Sequence, residues 1–166
     1  MRPVEFIVVH HTASPETTSV EDVRRWHVVD NGWSDIGYHF LIHREAGEWV
    51  TSKCRPLDRV GAHDKGANRL SVGIAVAGHY DKTPLSDDAR NQLANLIIDL
   101  CRRYMLSVSD VYGHSEKAPS ETGTDKTECP GFDMGVLRAG IVAIQSIRSA
   151  VESGVWCMAS TIEGAS

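Results

Sequence analysis

The stretch Glu5-Phe6-Ile7-Val8-Val9-His10-His11-Thr12 decides the fold that we expect for this chain. Phe6 to Val9 is a short apolar run rich in β-branched residues, which is typical of a buried strand. Two histidines follow at once, so the strand delivers His10 at its carboxyl end. In α/β sheets, ligand sites lie beyond the carboxyl ends of the strands. The stretch therefore predicts both a buried strand and the place of a site.

The remaining strands follow from similar short apolar runs. Segments with this pattern are Tyr38 to Ile42, Trp49 to Thr51, Ser71 to Ala77 and Val108 to Tyr112. Residues 45–48 predict a turn, so the first two segments should form a hairpin. The third segment is apolar throughout, which favours a central strand. The last segment ends at Gly113-His114, so a second histidine also lies just past a strand.

Three helices are predicted between and after these strands. Thr18 and Glu21 fit a capping box for a first helix that Asn31-Gly32 ends. A second helix starts at Leu85 to Asp88 and carries an apolar stripe at helical spacing. Asp133 can cap a last helix. Its expected inward residues are Val136, Leu137, Ile141, Ile144 and Ile147 or Val151. The interleaved pattern predicts an α/β fold, with a central mixed β-sheet flanked by about three α-helices.

Length and composition place this fold in one domain. The chain has 166 residues, of which 42% are hydrophobic and 23% charged, so residues 1–153 are expected to form a single domain. Residues 154–166 are rich in Gly, Ser and Ala and are expected to be a loose tail. The net charge of −5 argues against nucleic acid as the partner. No stretch approaches the roughly 20 apolar residues of a membrane span, so no membrane partner is expected.

Cysteine usage and the N-terminus indicate where the chain is made. The N-terminus lacks a secretory apolar region, so synthesis in the cytoplasm without a signal peptide is expected. Cys54, Cys101 and Cys157 are widely spaced and are expected to be free thiols. Cys129 differs because it lies in a turn-rich loop directly before Pro130-Gly131.

Three short segments would form a metal site if they met in space. His10 follows the first strand, His114 follows the late strand, and Cys129 lies in the loop before the last helix. Two imidazoles and one thiolate form a zinc triad with an open fourth position, which is typical of catalytic zinc. Spacing alone also allows the other interpretation, that these are unrelated polar residues in loops.

A set of motifs occurs in an order that resembles one enzyme family. The motifs are Val9-His10-His11-Thr12-Ala13, Gly37-Tyr38-His39-Phe40, Val60-Gly61-Ala62-His63, Gly113-His114-Ser115-Glu116 and Thr127-Glu128-Cys129-Pro130-Gly131-Phe132-Asp133. Their order is similar to that in zinc-dependent N-acetylmuramoyl-L-alanine amidases of the phage-lysozyme and peptidoglycan-recognition-protein type. The resemblance spans nearly the whole chain. It implies that His10, His114 and Cys129 bind Zn²⁺.

The resemblance also implies roles for four residues around the metal. Tyr38 corresponds to a tyrosine that the family places at the metal-bound water. The position two residues before the last ligand is lysine or threonine in the family. Here it is Thr127, with Lys126 just upstream, so either residue could supply the second hydrogen-bond donor. His63 lies where the family lines its substrate groove, and it is expected to contact substrate.

The implied activity is hydrolysis of the amide between N-acetylmuramic acid and L-alanine in bacterial peptidoglycan. The leading hypothesis is a phage or prophage endolysin that reaches the cell wall after release. Its expected substrate is peptidoglycan (a muropeptide), and the protein is expected to be a monomer. One alternative is a peptidoglycan-binding recognition module without hydrolysis. The other is a cytoplasmic amidase that recycles soluble anhydro-muropeptides.

Overall fold

The computed structural model describes residues 2–117 and 127–153. Lys126, Cys157 and the predicted tail 154–166 lie outside the described residues. The five strands are β1 (Phe6–His11), β2 (Phe40–Glu45), β3 (Glu48–Lys53), β4 (Ser71–Val76) and β5 (Val111–Gly113). Their order in the sheet is β3-β2-β4-β1-β5. Only the β2–β3 hairpin is antiparallel, and the other pairs are parallel. The predicted mixed sheet is therefore confirmed.

Within the described residues four α-helices surround the sheet, where the sequence predicts about three. They are α1 (Val20–Arg24), α2 (Asp87–Tyr104), α3 (His114–Lys117) and α4 (Met134–Glu152). A π-helical segment, Arg25–Asp30, continues α1. The additional helix, α3, is a single turn directly after β5, too short to show a periodic pattern in the sequence.

The helices cover both faces of the sheet. One core cluster joins Val9, Phe40 and Ile74 of the sheet to Leu93 of α2 and Leu137 of α4. A smaller cluster on the other face packs α1 against β2 and β4. Its buried members are Val23, Ile36, Leu41, Ala75 and Ala77. β4 is buried along its whole length, which confirms its central position.

Several local predictions are wrong by a few residues. The first helix is capped by Ser19 and Asp22 instead of Thr18 and Glu21. Residues 108–110 form a 3₁₀ turn that precedes β5. His43, which its strand-end position predicts to lie at the surface, is buried and its Nε2 lies 2.9 Å from the Ser52 hydroxyl. Each difference reflects a neighbour that is distant in sequence or a choice between adjacent capping residues.

The last helix is correctly placed but differs in its buried face. Asp133 caps it by accepting hydrogen bonds from the backbone N–H groups of Gly135 and Val136. Leu137 and Ile141 are buried as predicted, whereas Val136, Ile147 and Val151 are more than half exposed. By length and composition α4 could cross a membrane. A single helix of this kind is weak support for a span, so the absence of a membrane partner stays a prediction.

Candidate metal centre

Two parallel strands bring the two predicted histidine ligands to one edge of the sheet. β1 and β5 are neighbours, and their register sets Val9 beside Gly113. The residues that follow Val9 and Gly113 are His10 and His114, which therefore lie at the same carboxyl edge of the sheet. The rings of His10 and His114 lie 4.5 Å apart between centroids. The register of the sheet therefore brings His10 and His114 together.

The loop before α4 supplies the third residue. The Cys129 carbonyl accepts a 2.7 Å hydrogen bond from the Ser115 backbone N–H, which holds this loop against the start of α3. The Cys129 thiol sulfur accepts a 3.3 Å contact from the His11 backbone N–H. Gly113 permits the approach, because a Cβ there would lie 2.8 Å from Cδ of Pro130. The three predicted ligands therefore meet.

The geometry of this cluster fits a zinc ion. One ligand atom from each of His10, His114 and Cys129 lies within 4.8 Å of the other two. Nδ1 of His10 and Sγ of Cys129 are 3.8 Å apart. Tetrahedral zinc with ordinary Zn–N and Zn–S bonds sets these atoms about 3.6 Å apart. The two-nitrogen, one-sulfur donor set is also one that zinc prefers.

Burial sets the electrostatics of the ligands. His10 is buried, and burial together with His63 and His114 lowers its pKa well below the ordinary value. The imidazole is therefore neutral and keeps the lone pair that a metal needs. Burial raises the pKa of Cys129 to about 12, partly offset by the His11 N–H. A bound cation stabilises the thiolate at such a site.

Tyr38 lies beside this cluster, just before β2. Its ring centroid is 5.3 Å from that of His10. Burial, and then the nearby Cys129, raise the pKa of the phenol above its ordinary value. The phenol consequently keeps its proton at neutral pH and can donate a hydrogen bond. The predicted role of Tyr38 at the metal-bound water stays a prediction.

Thr127 belongs to the loop that carries the cysteine. Its Oγ1 accepts a 3.1 Å hydrogen bond from the Cys129 backbone N–H, so the hydroxyl shapes the loop two residues before the ligand. The hydroxyl proton is not used by this bond and could be donated elsewhere. Its role toward substrate stays a prediction, and the competing Lys126 lies outside the described residues.

His63 contacts His10, one of the three predicted ligands. Its Nδ1 lies 3.1 Å from Nε2 of His10. The other ring nitrogen lies 3.3 Å from the hydroxyl of Ser71. A Cβ on either Gly61 or Gly73 would overlap this ring, so the imidazole fills a narrow slot between them. The predicted substrate contact of His63 stays a prediction, while its contact with His10 is a feature of the structure.

Sequence reasoning missed Asp64, the next residue. Its side chain is 4% exposed, and Oδ1 lies 3.9 Å from Nε2 of His114. Burial raises the pKa of this carboxyl, while His114 and Lys117 oppose the rise. An acidic residue in a polar loop is normally solvated, so the local sequence gives no signal of its burial.

Comparison with known proteins agrees with the geometry. Residues 1–132 match the family described as N-acetylmuramoyl-L-alanine amidase. An endolysin of Klebsiella phage KP32 is 33% identical over 138 residues, covering 77% of this chain and 81% of the relative. Peptidoglycan-recognition protein SC2 of Drosophila melanogaster is 29% identical over 139 residues, covering 79% and 70%.

A solved structure shares the fold as well. The N-acetylmuramoyl-L-alanine amidase LysC from Clostridium intestinale URNW superposes with a TM-score of 0.71 at 29% identity, covering 84% of this chain and 86% of that one. The family match spans most of the chain, including β1, β5 and the cysteine loop. The chain belongs to the N-acetylmuramoyl-L-alanine amidase family.

Proposed function

We propose that this amidase depends on zinc, cleaves the amide between N-acetylmuramic acid and L-alanine in peptidoglycan, and acts in cell-wall lysis as a phage endolysin. The observation that carries the proposal is the cluster of His10, His114 and Cys129, whose ligand atoms lie within 4.8 Å of one another. The similarity to phage endolysins at 33% identity supports the biological role.

The accessibility of the cluster supports catalysis over a structural metal. His10 and Cys129 are buried, whereas the side chain of His114 is 27% exposed. His10, His114 and Cys129 would hold the zinc, and three protein ligands would leave a fourth position for water or a substrate carbonyl. When bound there, zinc supplies Lewis-acid activation of a water molecule and of the scissile carbonyl.

The residues of the chain then have distinct tasks. His10 would offer a neutral nitrogen and Cys129 a thiolate, and both side chains are buried. The protonated phenol of Tyr38 donates a hydrogen bond to the attacking water or to the oxyanion that develops on the carbonyl. Thr127 or Lys126 supplies a second donor to that oxyanion. A well-placed donor of this type is worth about 3 kcal/mol of transition-state stabilisation.

The presence of the cysteine favours hydrolysis over simple recognition. A peptidoglycan-binding module needs a groove but no thiolate, whereas the buried Cys129 has its sulfur 3.8 Å from Nδ1 of His10, as expected of a zinc ligand. In this proposal the protein is a monomer that is made in the cytoplasm and reaches the wall after release.

The first test measures metal content and product. We expect about one zinc per chain and release of new L-alanine amino termini from purified peptidoglycan, abolished by a chelator and restored by zinc. His10→Ala and Cys129→Ala should each lose zinc and activity. His79→Ala and Cys54→Ala are matched controls outside the cluster and should retain both.

Three results would overturn parts of the proposal. Full activity in both ligand variants would remove the metal mechanism. Zinc binding with muropeptide affinity but no cleavage would assign the chain to recognition. Cleavage of soluble anhydro-muropeptides without cleavage of intact sacculi would assign it to recycling and exclude the endolysin role.

A further inference from the structure

The long connection of residues 54–70 lies behind both predicted histidine ligands. It connects β3 to β4 and contains His63 and Asp64 side by side. The side-chain carbonyl oxygen of Asn68 accepts hydrogen bonds from both backbone N–H groups, at 2.8 Å from His63 and 3.0 Å from Asp64. The two side chains are therefore held in a fixed relation to each other and to the sheet.

The hydrogen bonds of His63 define where each proton lies. The hydroxyl of Ser71 donates to the carbonyl of Ala67 at 2.9 Å, so its oxygen is free to accept from Nε2–H of His63. Nδ1 of His63 is then an acceptor, and the 3.1 Å contact makes Nε2–H of His10 the donor. This order leaves the lone pair of His10 on Nδ1, the nitrogen 3.8 Å from the Cys129 sulfur.

Asp64 stands in the corresponding position behind His114. Oδ1 lies 3.9 Å from Nε2 of His114, within ion-pair range, and the carboxylate is buried. Oδ2 is buried without a hydrogen-bond partner among the described residues. A buried, unsatisfied carboxylate is costly, so its retention needs a positive partner. A metal-bound imidazole, which becomes a stronger N–H donor, is such a partner.

We propose that His63 and Asp64 are positioning residues for the metal centre: His63 fixes the tautomer and orientation of His10 through a hydrogen bond, and Asp64 stabilises the Nε2–H form of His114 electrostatically from 3.9 Å. Adjacent residues of one loop thereby support both imidazoles from behind. The inference rests on the proposed zinc site. It assigns a positioning role to two residues that face the predicted ligands and not the metal itself. Partners of this kind contribute about 10- to 100-fold to metal affinity.

The test measures the zinc dissociation constant by competition with a chromophoric chelator. His63→Leu removes the acceptor and should weaken zinc binding about 10- to 100-fold. His63→Asn keeps an acceptor oxygen near the position of Nδ1 and should recover most of that loss. Asp64→Asn keeps the shape without the charge and should weaken binding about 10-fold. The exposed Asp58→Asn is the charge-matched control and should bind zinc as the wild type does.

A second readout separates positioning from a general structural role. In the zinc-free protein, Asp64→Asn should unfold at the same or a higher denaturant concentration, because a buried carboxylate with one unsatisfied oxygen is removed. Weaker zinc binding together with undiminished apo stability supports the proposal. The visible spectrum of the cobalt-substituted protein should also shift in His63→Leu and return toward that of the wild type in His63→Asn.

Failure of the inference differs from failure of the proposed function. Zinc binding within twofold of the wild type in both His63→Leu and Asp64→Asn would overturn the positioning roles while leaving the zinc amidase intact. If both variants lost stability in the zinc-free state in parallel with zinc affinity, the loop would have a general structural role and the positioning roles would be overturned. A wild-type protein that binds no zinc would overturn both proposals.

Discussion

At the scale of single residues, the phenol of Tyr38 is the group whose removal is most informative. Tyr38→Phe keeps the ring beside His10 and removes only the hydroxyl. We expect hydrolysis of peptidoglycan to slow about 10²- to 10³-fold, because a donor to the transition state is lost. Zinc content should be unchanged, since no ligand is touched. The turnover number and metal analysis of the same preparation measure both effects.

A tyrosine elsewhere provides the control for this change. Tyr112→Phe removes a phenol from β5, where the ring packs on Phe6, and should leave turnover unchanged. A Tyr38→Phe protein with wild-type turnover would remove Tyr38 from the mechanism. A variant that also lost zinc would instead give the phenol a role in assembling the site.

Individual residues also show which part of the site could be predicted from the sequence. His10 and His114 were predictable because each directly follows an apolar strand, and Cys129 because the Cys-Pro-Gly turn resembles a family motif. Asp64 was not predictable, because the residue that it faces, His114, is distant in sequence. Local patterns encode the strands and turns, but they do not encode which loop side chain another part of the chain will cover.

At the scale of elements, α4 shows the same limit. Apolar residues occur all around this helix, so periodicity alone does not select its buried face. The structure identifies the buried face, because Leu137 is 2% exposed and Val136 is 56% exposed. Leu137→Ala should therefore lower the free energy of unfolding by about 2–4 kcal/mol through lost burial and a cavity.

The neighbouring valine is the matched control for this element. Val136→Ala should change the free energy of unfolding by less than about 0.5 kcal/mol, because its side chain makes little buried contact. Chemical denaturation of the two variants at one pH measures both values. Equal losses would mean that α4 packs through a different face, as the apolar pattern alone allows.

At the scale of the whole molecule, the class of the fold was predictable and the strand order was not. Apolar runs alternating with helices indicate an α/β sheet. The pairing of β1 with both β4 and β5 depends on partners more than 60 residues away in the chain. That pairing, which local sequence does not specify, sets His10 beside His114. The cluster of predicted metal ligands is thus a consequence of the sheet topology as well as of the sequence motifs.

Global stability should depend on pH through His39, which joins the loop before β2 to β4. The backbone N–H of Gly73 donates to Nδ1 of His39, and Nε2 lies 3.1 Å from the Arg59 carbonyl. Burial lowers the pKa of His39 to about 4. Protonation of Nδ1 would also remove the bond from Gly73. In the unfolded chain the pKa is about 6.5.

The sign of the effect follows from these two pKa values. Between pH 6.5 and 4 the unfolded chain binds a proton at this residue and the folded protein does not, so stability falls as the pH falls. From pH 7.5 to 4.5 the contribution of His39 is a loss of about 2–3 kcal/mol. Denaturation of zinc-free wild type and of His39→Asn over this range measures the contribution as the difference between the two pH profiles. Parallel pH profiles, or a pKa near 6.5 for His39 by NMR, would show that the folded protein accepts the proton.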